Sequence, residues 1–459
     1  MKRLAPWTLC LWAIGATTAA AQSPTAVTAL HALKPESVPW WQRAVSFLGI
    51  FAIAGLAWLV STHRKQVALR VVGWGIALQL IFGVFVLKTA VGRWLFTVMN
   101  DAIVGLLDFT AKGTEFIFGE LATKQFSMAI NVLPTIVFFS SLMAVMYHLG
   151  VMQKLVQGIA FVMQKTMRTS GAETLSCAAN IFVGQTEAPL VIRPYVDRMT
   201  QSELMAVMTA GFATVAGGVM AAYVGMLREQ FPDIAGHLLA ASVMSAPAAL
   251  VIAKIMVPET EESETAGKAH FEVKKIDANV IDAAARGAGE GLQLALNVGA
   301  MLLAFIALVA LANFLIGTPT YVYNWWNHLE GANAAAPITL EKILGYLFWP
   351  VAFAMGVPPH ECGAVGVFLG EKTVLNEFVA YAHLAKSLTD GAALSHRAVV
   401  ITTYALCGFA NFSSIAIQLG GIGSIAPMRR GDLARIGLRA MVAGIMAACM
   451  TGAVAGLLV

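Results

Sequence analysis

The chain of 459 residues is poor in charge and in cysteine. Asp, Glu, Lys and Arg make up 12% of it, where soluble domains carry about 25%. With 58% hydrophobic residues beside so little charge, a water-soluble globular fold is excluded, because too much apolar surface would remain to be hidden. The net charge of +4 is small and dispersed, and no basic run is interleaved with aromatics, so nothing marks a nucleic-acid partner. The five cysteines, Cys10, Cys177, Cys362, Cys407 and Cys449, contain no C-x-x-C pair, which argues against a disulfide framework or a zinc site. Enzyme signatures are also missing. HECGA at His360 lacks the second histidine of H-E-x-x-H, and no G-x-S-x-G occurs. The chain reads as a non-enzyme without a cofactor.

What the sequence has is long apolar runs, with a mean hydropathy of +0.72. A membrane span needs about 20 apolar residues. Such runs lie near 44–61, 70–90, 126–148, 203–226, 236–256, 291–316, 398–422 and 434–458. The fold class expected is an all-α polytopic membrane protein: about eight transmembrane helices plus two re-entrant helical hairpins in an inverted repeat, with interfacial helices. Residues 91–120, 152–168 and 340–356 are mixed in polarity and are read as interfacial.

The N-terminus, MKRLAPWTLCLWAIGATTAAAQS, has a basic start at Lys2 and Arg3, an apolar stretch and Ala19-Ala20-Ala21. This pattern predicts a signal peptide over 1–21, with an uncleaved first span as the alternative. Cleavage puts the mature N-terminus in a bacterial periplasm, and eight spans return the C-terminus there. Loop charge agrees: 17 of the 30 Lys and Arg residues fall in segments this topology makes cytoplasmic. The division expected is N-terminal transmembrane helices (22–150), a first core half (151–256), a cytoplasmic loop (257–290), a helix with a periplasmic loop (291–339) and a second core half (340–459).

Two regions, 170–192 and 357–383, are apolar enough to enter the membrane but too interrupted by Gly, Pro and charge to cross it as one helix. They read as re-entrant hairpins, which are tolerated at depth only inside protein or around a water-filled cavity. They also resemble each other. IFVGQTE at 181–187 parallels VFLGEKT at 367–373, and GFATV at 211–215 parallels GFANF at 408–412. Three spans separate the hairpins, so the second enters from the opposite face. Paired interrupted segments of this kind mark substrate and ion sites of transporters.

A charge at bilayer depth costs about 3 kcal/mol, so Glu187 and Glu377 need an explanation. Either they snorkel to an interface, or they face a polar cavity and accept hydrogen bonds from a polyhydroxyl ligand. Asn411, Ser414 and Gln418 share one helix face, as ligand contacts or as interhelical hydrogen-bond glue. Phe409 beside them suits stacking on a flat ring or plain packing. A channel and a symporter for another polyhydroxyl solute are the rival readings.

Three motifs carry a family resemblance: NIFVGQTEAP (180–189), NEFVAY (376–381) and GFANFSSIAIQLGGIG (408–423). In this order they closely resemble the concentrative nucleoside transporter family, over about residues 40–459. The resemblance implies that the hairpins and broken helices bind nucleoside and a coupling cation. Gln185, Thr186 and Glu187 match base and hairpin contacts, and Phe409 a base-side contact. Glu377, Asn411 and Ser414 match positions that hold the ribose. For sodium it points to Asn180, Val183, Thr214 and Val215, through hydroxyl and carbonyl oxygens that suit a hard cation. Thr214 stands where a serine is expected but keeps the hydroxyl, so sodium is the ion expected, with the proton as alternative. The resemblance also implies a nucleoside:cation symporter in the bacterial inner membrane, a homotrimer within the lipid bilayer, and an elevator-like motion.

Overall fold

The computed structural model describes residues 38–124, 127–267, 277–329, 335–391 and 394–459. The signal peptide expected over 1–21 lies outside the described residues. Among the described residues there is no strand. The longer helices are α1 (Trp40–Leu59), α2 (Leu69–Lys88), α3 (Ala90–Phe118), α4 (Leu133–His148), α5 (Val151–Met167) and α6 (Gly171–Ala179). They continue as α7 (Gln201–Ala213), α8 (Gly217–Leu227), α9 (Ile234–Met256), α10 (Val280–Trp326) and α11 (Leu340–Ala354). The last are α12 (Cys362–Val374), α13 (Glu377–Thr389), α14 (His396–Leu406), α15 (Phe412–Ile425) and α16 (Arg430–Leu458).

The two apolar runs read as single spans, 203–226 and 398–422, are each broken into two helices, α7 with α8 and α14 with α15. The breaks fall within the two repeated motifs. Thr214 is extended (φ −116°, ψ 164°), and Gly408 takes φ +110°, a backbone that L side chains rarely adopt. Hydropathy did not register the breaks because apolar residues flank them on both sides. The span read at 291–316 is the middle of a 47-residue helix, α10, which starts at Val280 within the connector read as 257–290. Residues 91–120, read as interfacial, form the 29-residue α3, whose length and composition also satisfy a span. Among the described residues, eight helical segments meet those two criteria for crossing a membrane, the α7–α8 pair counting as one.

The helices divide by burial. The apolar windows of α7–α8 and α9 are 89% buried and that of α16 78%, against 17% for α10. The first set is therefore the core, and α10 faces outwards. α1 and α2 pack on α9 and α16, whereas α4 and α10 pack on each other. Gly291 sets the closeness of that last pair: a Cβ there would lie 2.8 Å from the Val137 Cα and 2.8 Å from the Ser140 Cβ.

Candidate functional site

The site begins with how each hairpin starts and stops. Hairpin 1 opens with a capping box, Ser170 accepting from the Glu173 amide and Glu173 from the Ser170 amide. Its base is held by the buried Glu173–Lys254 pair, with Nζ 2.8 Å from Oε2. After α6 the chain turns through 180–187 and leaves by a 3₁₀ segment, Ala188–Ile192, with Pro189 in its first turn. Hairpin 2 is α12 followed by α13, restarted by Asn376, whose side chain accepts from the Val379 amide at 2.9 Å. His383 Nδ1 lies 2.8 Å from Glu371 Oε1 and ties the two arms together.

Glu377 is the first residue of α13 and is 5% exposed. Tyr223 on α8 donates to its Oε1 at 3.1 Å, and Asn411 Nδ2 donates to its Oε2 at 2.9 Å. Asn411 is in turn the N-cap of α15, its Oδ1 accepting from the Ser414 amide at 2.9 Å. Two donors, one from each repeat, thus lock this carboxylate at a helix N-terminus whose dipole favours that charge. Two turns along the same face of α15, buried Gln418 donates to Gln185 Oε1 at 3.0 Å and to the Met208 carbonyl at 3.1 Å. Seven residues of helix span about 10 Å. Beyond that, Gly421 abuts Thr186 closely enough that a Cβ would lie 3.1 Å from the Thr186 Cβ. One face of α15 therefore runs from hairpin 2 to the tip of hairpin 1.

The structure joins Gln185, Glu377, Asn411 and Ser414 in this chain of contacts, with Thr186 at its end. Glu187 is not part of it: it is exposed, and its carboxylate folds back over Gly184. Phe409 is half-buried in the break between α14 and α15. Tyr223 and Lys372 stand beside these residues but were not among the sequence candidates, whereas Gln418 was read there with Asn411 and Ser414. Gln418 was visible as part of a polar face and Lys372 as a charge inside an apolar hairpin. Tyr223 sits in the run AAYVGML and gave no signal.

The cation candidates lie at the other side of the hairpin 1 tip. The Phe182 carbonyl accepts from the Gly217 amide at 3.0 Å, which sets residues 180–183 against the α7–α8 break. Asn180 is fully buried; its Nδ2 donates to the Ser176 carbonyl at 3.2 Å, while its Oδ1 has no partner. Thr214 Oγ1 donates to the Ala210 carbonyl at 2.8 Å, and Val215 is buried beside it. An orphaned amide oxygen next to a broken helix is a donor set of the kind a hard cation takes.

Known proteins show the family of the chain. Three family descriptions match in order: "Na+ dependent nucleoside transporter N-terminus" over residues 48–121, "Nucleoside recognition" over 129–230, and "Na+ dependent nucleoside transporter C-terminus" over 237–456. The chain belongs to the sodium-dependent nucleoside transporter family. This makes it a multi-pass membrane transporter and not an enzyme. It is 45% identical over 418 residues to the uncharacterized transporter YutK of Bacillus subtilis, covering 90% of this chain and 98% of that one. It is 42% identical over 430 residues to sodium/nucleoside cotransporter 1 of Mus musculus, covering 91% of this chain and 64% of that longer protein. Among solved structures it is similar to CNTnw in an inward-facing substrate-bound state, with a TM-score of 0.82 and 44% identity, covering 91% of this chain and 98% of that one. An outward-facing variant of CNTnw matches equally well, with a TM-score of 0.82. The all-helical fold with two hairpins expected from the motifs is borne out.

Proposed function

We propose that this transporter imports nucleosides by symport with sodium, in the inner membrane of a bacterium, by elevator-type alternating access. The observation that carries this reading is the α15 face that links Glu377 through Asn411 to Gln418 and Gln185. Its length of about 10 Å suits a ribose at one end and a base at the other. Glu377, Asn411 and Ser414 hold the ribose hydroxyls, an ionised carboxylate being acceptor-only. Gln185 and Thr186 meet the base from hairpin 1, Phe409 lies on the base side, and the exposed Glu187 is free to turn towards ligand.

Sodium binds at the α7–α8 break through Asn180, Thr214 and the carbonyls of Val183 and Val215. It fixes the hairpin 1 tip and so sets Gln185 for nucleoside. A cation moving through 100 mV gains about 2.3 kcal/mol, which at about 1.4 kcal/mol per tenfold supports roughly 50-fold accumulation.

The moving body is the two hairpins with α7–α9 and α14–α16; α4 and α10 form the frame. Because α1 and α2 pack on α9 and α16, we place them with the moving body, unlike a division that leaves all of 22–150 on the scaffold side. The exposed apolar face of α10, with Leu303, Ile306 and Phe314, suits lipid and the neighbouring copies of a homotrimer. Radiolabelled uridine uptake into proteoliposomes, with sodium and proton gradients imposed separately, tests the reading. Accumulation driven by sodium supports it, and accumulation driven only by protons reassigns the ion.

A further inference from the structure

The 17 residues of α5 sort into lines along its surface by their helical spacing. Met152, Val156, Met163 and Met167 are buried against the protein. Val151, Leu155 and Val162, at i, i+4 and i+11, form an exposed apolar line. Lys154, Phe161 and Lys165, at i, i+7 and i+11, form an exposed line beside it. Gln153, Gln157 and Gln164 follow on the far side. An apolar line bordered by cations and then by amides suits a helix lying at the membrane surface, with acyl chains on one side and headgroups on the other.

A cavity opens where this helix ends. About 430 Å³ lies between Phe161, Gln164, Lys165, Arg168, Thr169 and Gly267, within the about 300–1,000 Å³ of small-molecule sites. Arg168 stops α5 at φ +60° and ψ 35°, a left-handed backbone that glycine or asparagine usually supplies. Lys165 and Arg168 are exposed, and among the described residues neither is in an ion pair. The ordinary use of a cation here is to serve the last carbonyls of the helix. Arg70 already does so, its Nε donating to the Thr166 carbonyl at 3.0 Å. On the connector that reaches the cavity at Gly267, Glu259 is taken by Lys254 and Glu264 by Arg198. Glu261 and Glu262 are exposed and do not line the cavity.

We propose that this cavity binds the phosphate headgroup of an anionic phospholipid, held by Lys165 and Arg168 while its acyl chains run along Val151, Leu155 and Val162. A soluble phosphate offers the same charge, but the apolar line alongside selects the lipid. The site stands at the root of hairpin 1. Thr169 Oγ1 lies 2.7 Å from Thr174 Oγ1 on α6, and Ser170 is the N-cap of that helix. The Gly171 amide donates to the Thr265 carbonyl at 3.1 Å, two residues before Gly267. A lipid held here steadies the base of hairpin 1 and the connector together, so membrane composition acts on transport through it. The proposal is independent of where ion and base bind.

The test uses the full-length transporter, purified in mild detergent from vesicles of equal phosphatidylcholine and phosphatidylglycerol, with the lipid retained on the protein measured by mass spectrometry. Wild type is expected to retain phosphatidylglycerol in excess. A basic residue near an anionic surface contributes a factor of about five. Lys165→Gln with Arg168→Gly is therefore expected to bind phosphatidylglycerol about 25-fold more weakly. Glycine suits the backbone at 168. Lys154→Gln removes a charge from the same line outside the cavity and is expected to stay close to wild type. Equal retention of both lipids by wild type overturns the proposal, whatever the variants do. A folded double variant that keeps the wild-type excess also overturns it, as does a Lys154→Gln loss as large as that of the double variant. Where the double variant does not elute as wild type does, Arg168→Gly alone is read in the same way, with a loss of about fivefold expected. Uridine uptake is the second readout. It is expected to be faster in wild-type vesicles with phosphatidylglycerol than in phosphatidylcholine alone, and inorganic phosphate added to the latter is expected to leave it unchanged. Stimulation by inorganic phosphate would reassign the cavity to a soluble anion and overturn the lipid site.

Discussion

Gln418 on α15 donates to Gln185 at the tip of hairpin 1 across 3.0 Å, although 233 residues separate them. The same Nε2 also donates to the Met208 carbonyl on α7, so one side chain pins hairpin 1, α7 and α15 together. Residues in one hydrogen-bond network couple by about 0.5–3 kcal/mol in double-mutant cycles. A Gln185→Ala and Gln418→Ala cycle, read by uridine binding to purified protein, is therefore expected to be non-additive. Additive losses would mean that the two amides act on the ligand separately.

Tyr223 should matter although it is buried behind the site. Its hydroxyl donates to Glu377 Oε1, and its ring stacks on Tyr381 at 4.3 Å between centroids. Tyr223→Phe keeps the stack and removes the donor. A hydrogen bond to a charged group is worth about 1.5–3 kcal/mol, so uridine affinity is expected to fall about tenfold or more. Elution volume and thermal midpoint should stay close to wild type, which separates loss of positioning from loss of fold.

Replacing Glu377 by Gln keeps the shape and removes the charged acceptor. The expected cost in uridine binding is again about 1.5–3 kcal/mol. It should be smaller for 2′-deoxyuridine if the carboxylate meets the 2′-hydroxyl. Equal losses for both nucleosides would move that contact elsewhere on the sugar.

Gly408→Ala addresses the crossing of the two breaks. The position has φ +110°, and an added Cβ would lie 2.5 Å from the Phe212 carbonyl oxygen. Strain of this kind costs about 1–3 kcal/mol per residue. The backbone on both sides of the clash has nowhere to move, because Phe212 is itself buried against α16 at Gly444. A lowered thermal midpoint in detergent, with little uridine bound, is the expected outcome.

Much of this was legible in the residues. The hairpins announced themselves by Gly, Pro and Glu inside apolar runs, and the repeat by two near-copies of one motif. N-caps mark the helix restarts: Ser170, Thr200, Asn376, Ser395 and Asn411 each accept from an amide three residues on. The breaks in α7–α8 and α14–α15 escaped a hydropathy reading because single polar residues, Thr214 and Asn411, are averaged out among apolar neighbours on both sides. The position of Tyr223 against Glu377 depends on how two distant segments pack, which no local pattern records. Glu187 and Glu377 looked alike as buried acids. Packing distinguishes them, one locked by two donors and the other exposed at a turn.

Asn180 gives a separate handle on the ion. Its Oδ1 is buried and unpartnered, and Asn180→Ala removes that oxygen. The half-saturating sodium concentration for uridine uptake is expected to rise, while uptake at saturating sodium recovers at least in part. An unchanged sodium curve would take Asn180 out of the ion site.

The most direct test of the account is calorimetric titration of uridine into the purified transporter at several sodium concentrations, with choline holding ionic strength constant. If the cation orders the hairpin 1 tip that carries Gln185, linkage requires uridine affinity to climb with sodium, and sodium affinity to climb equally with uridine. The same dissociation constant in sodium and in choline would contradict it.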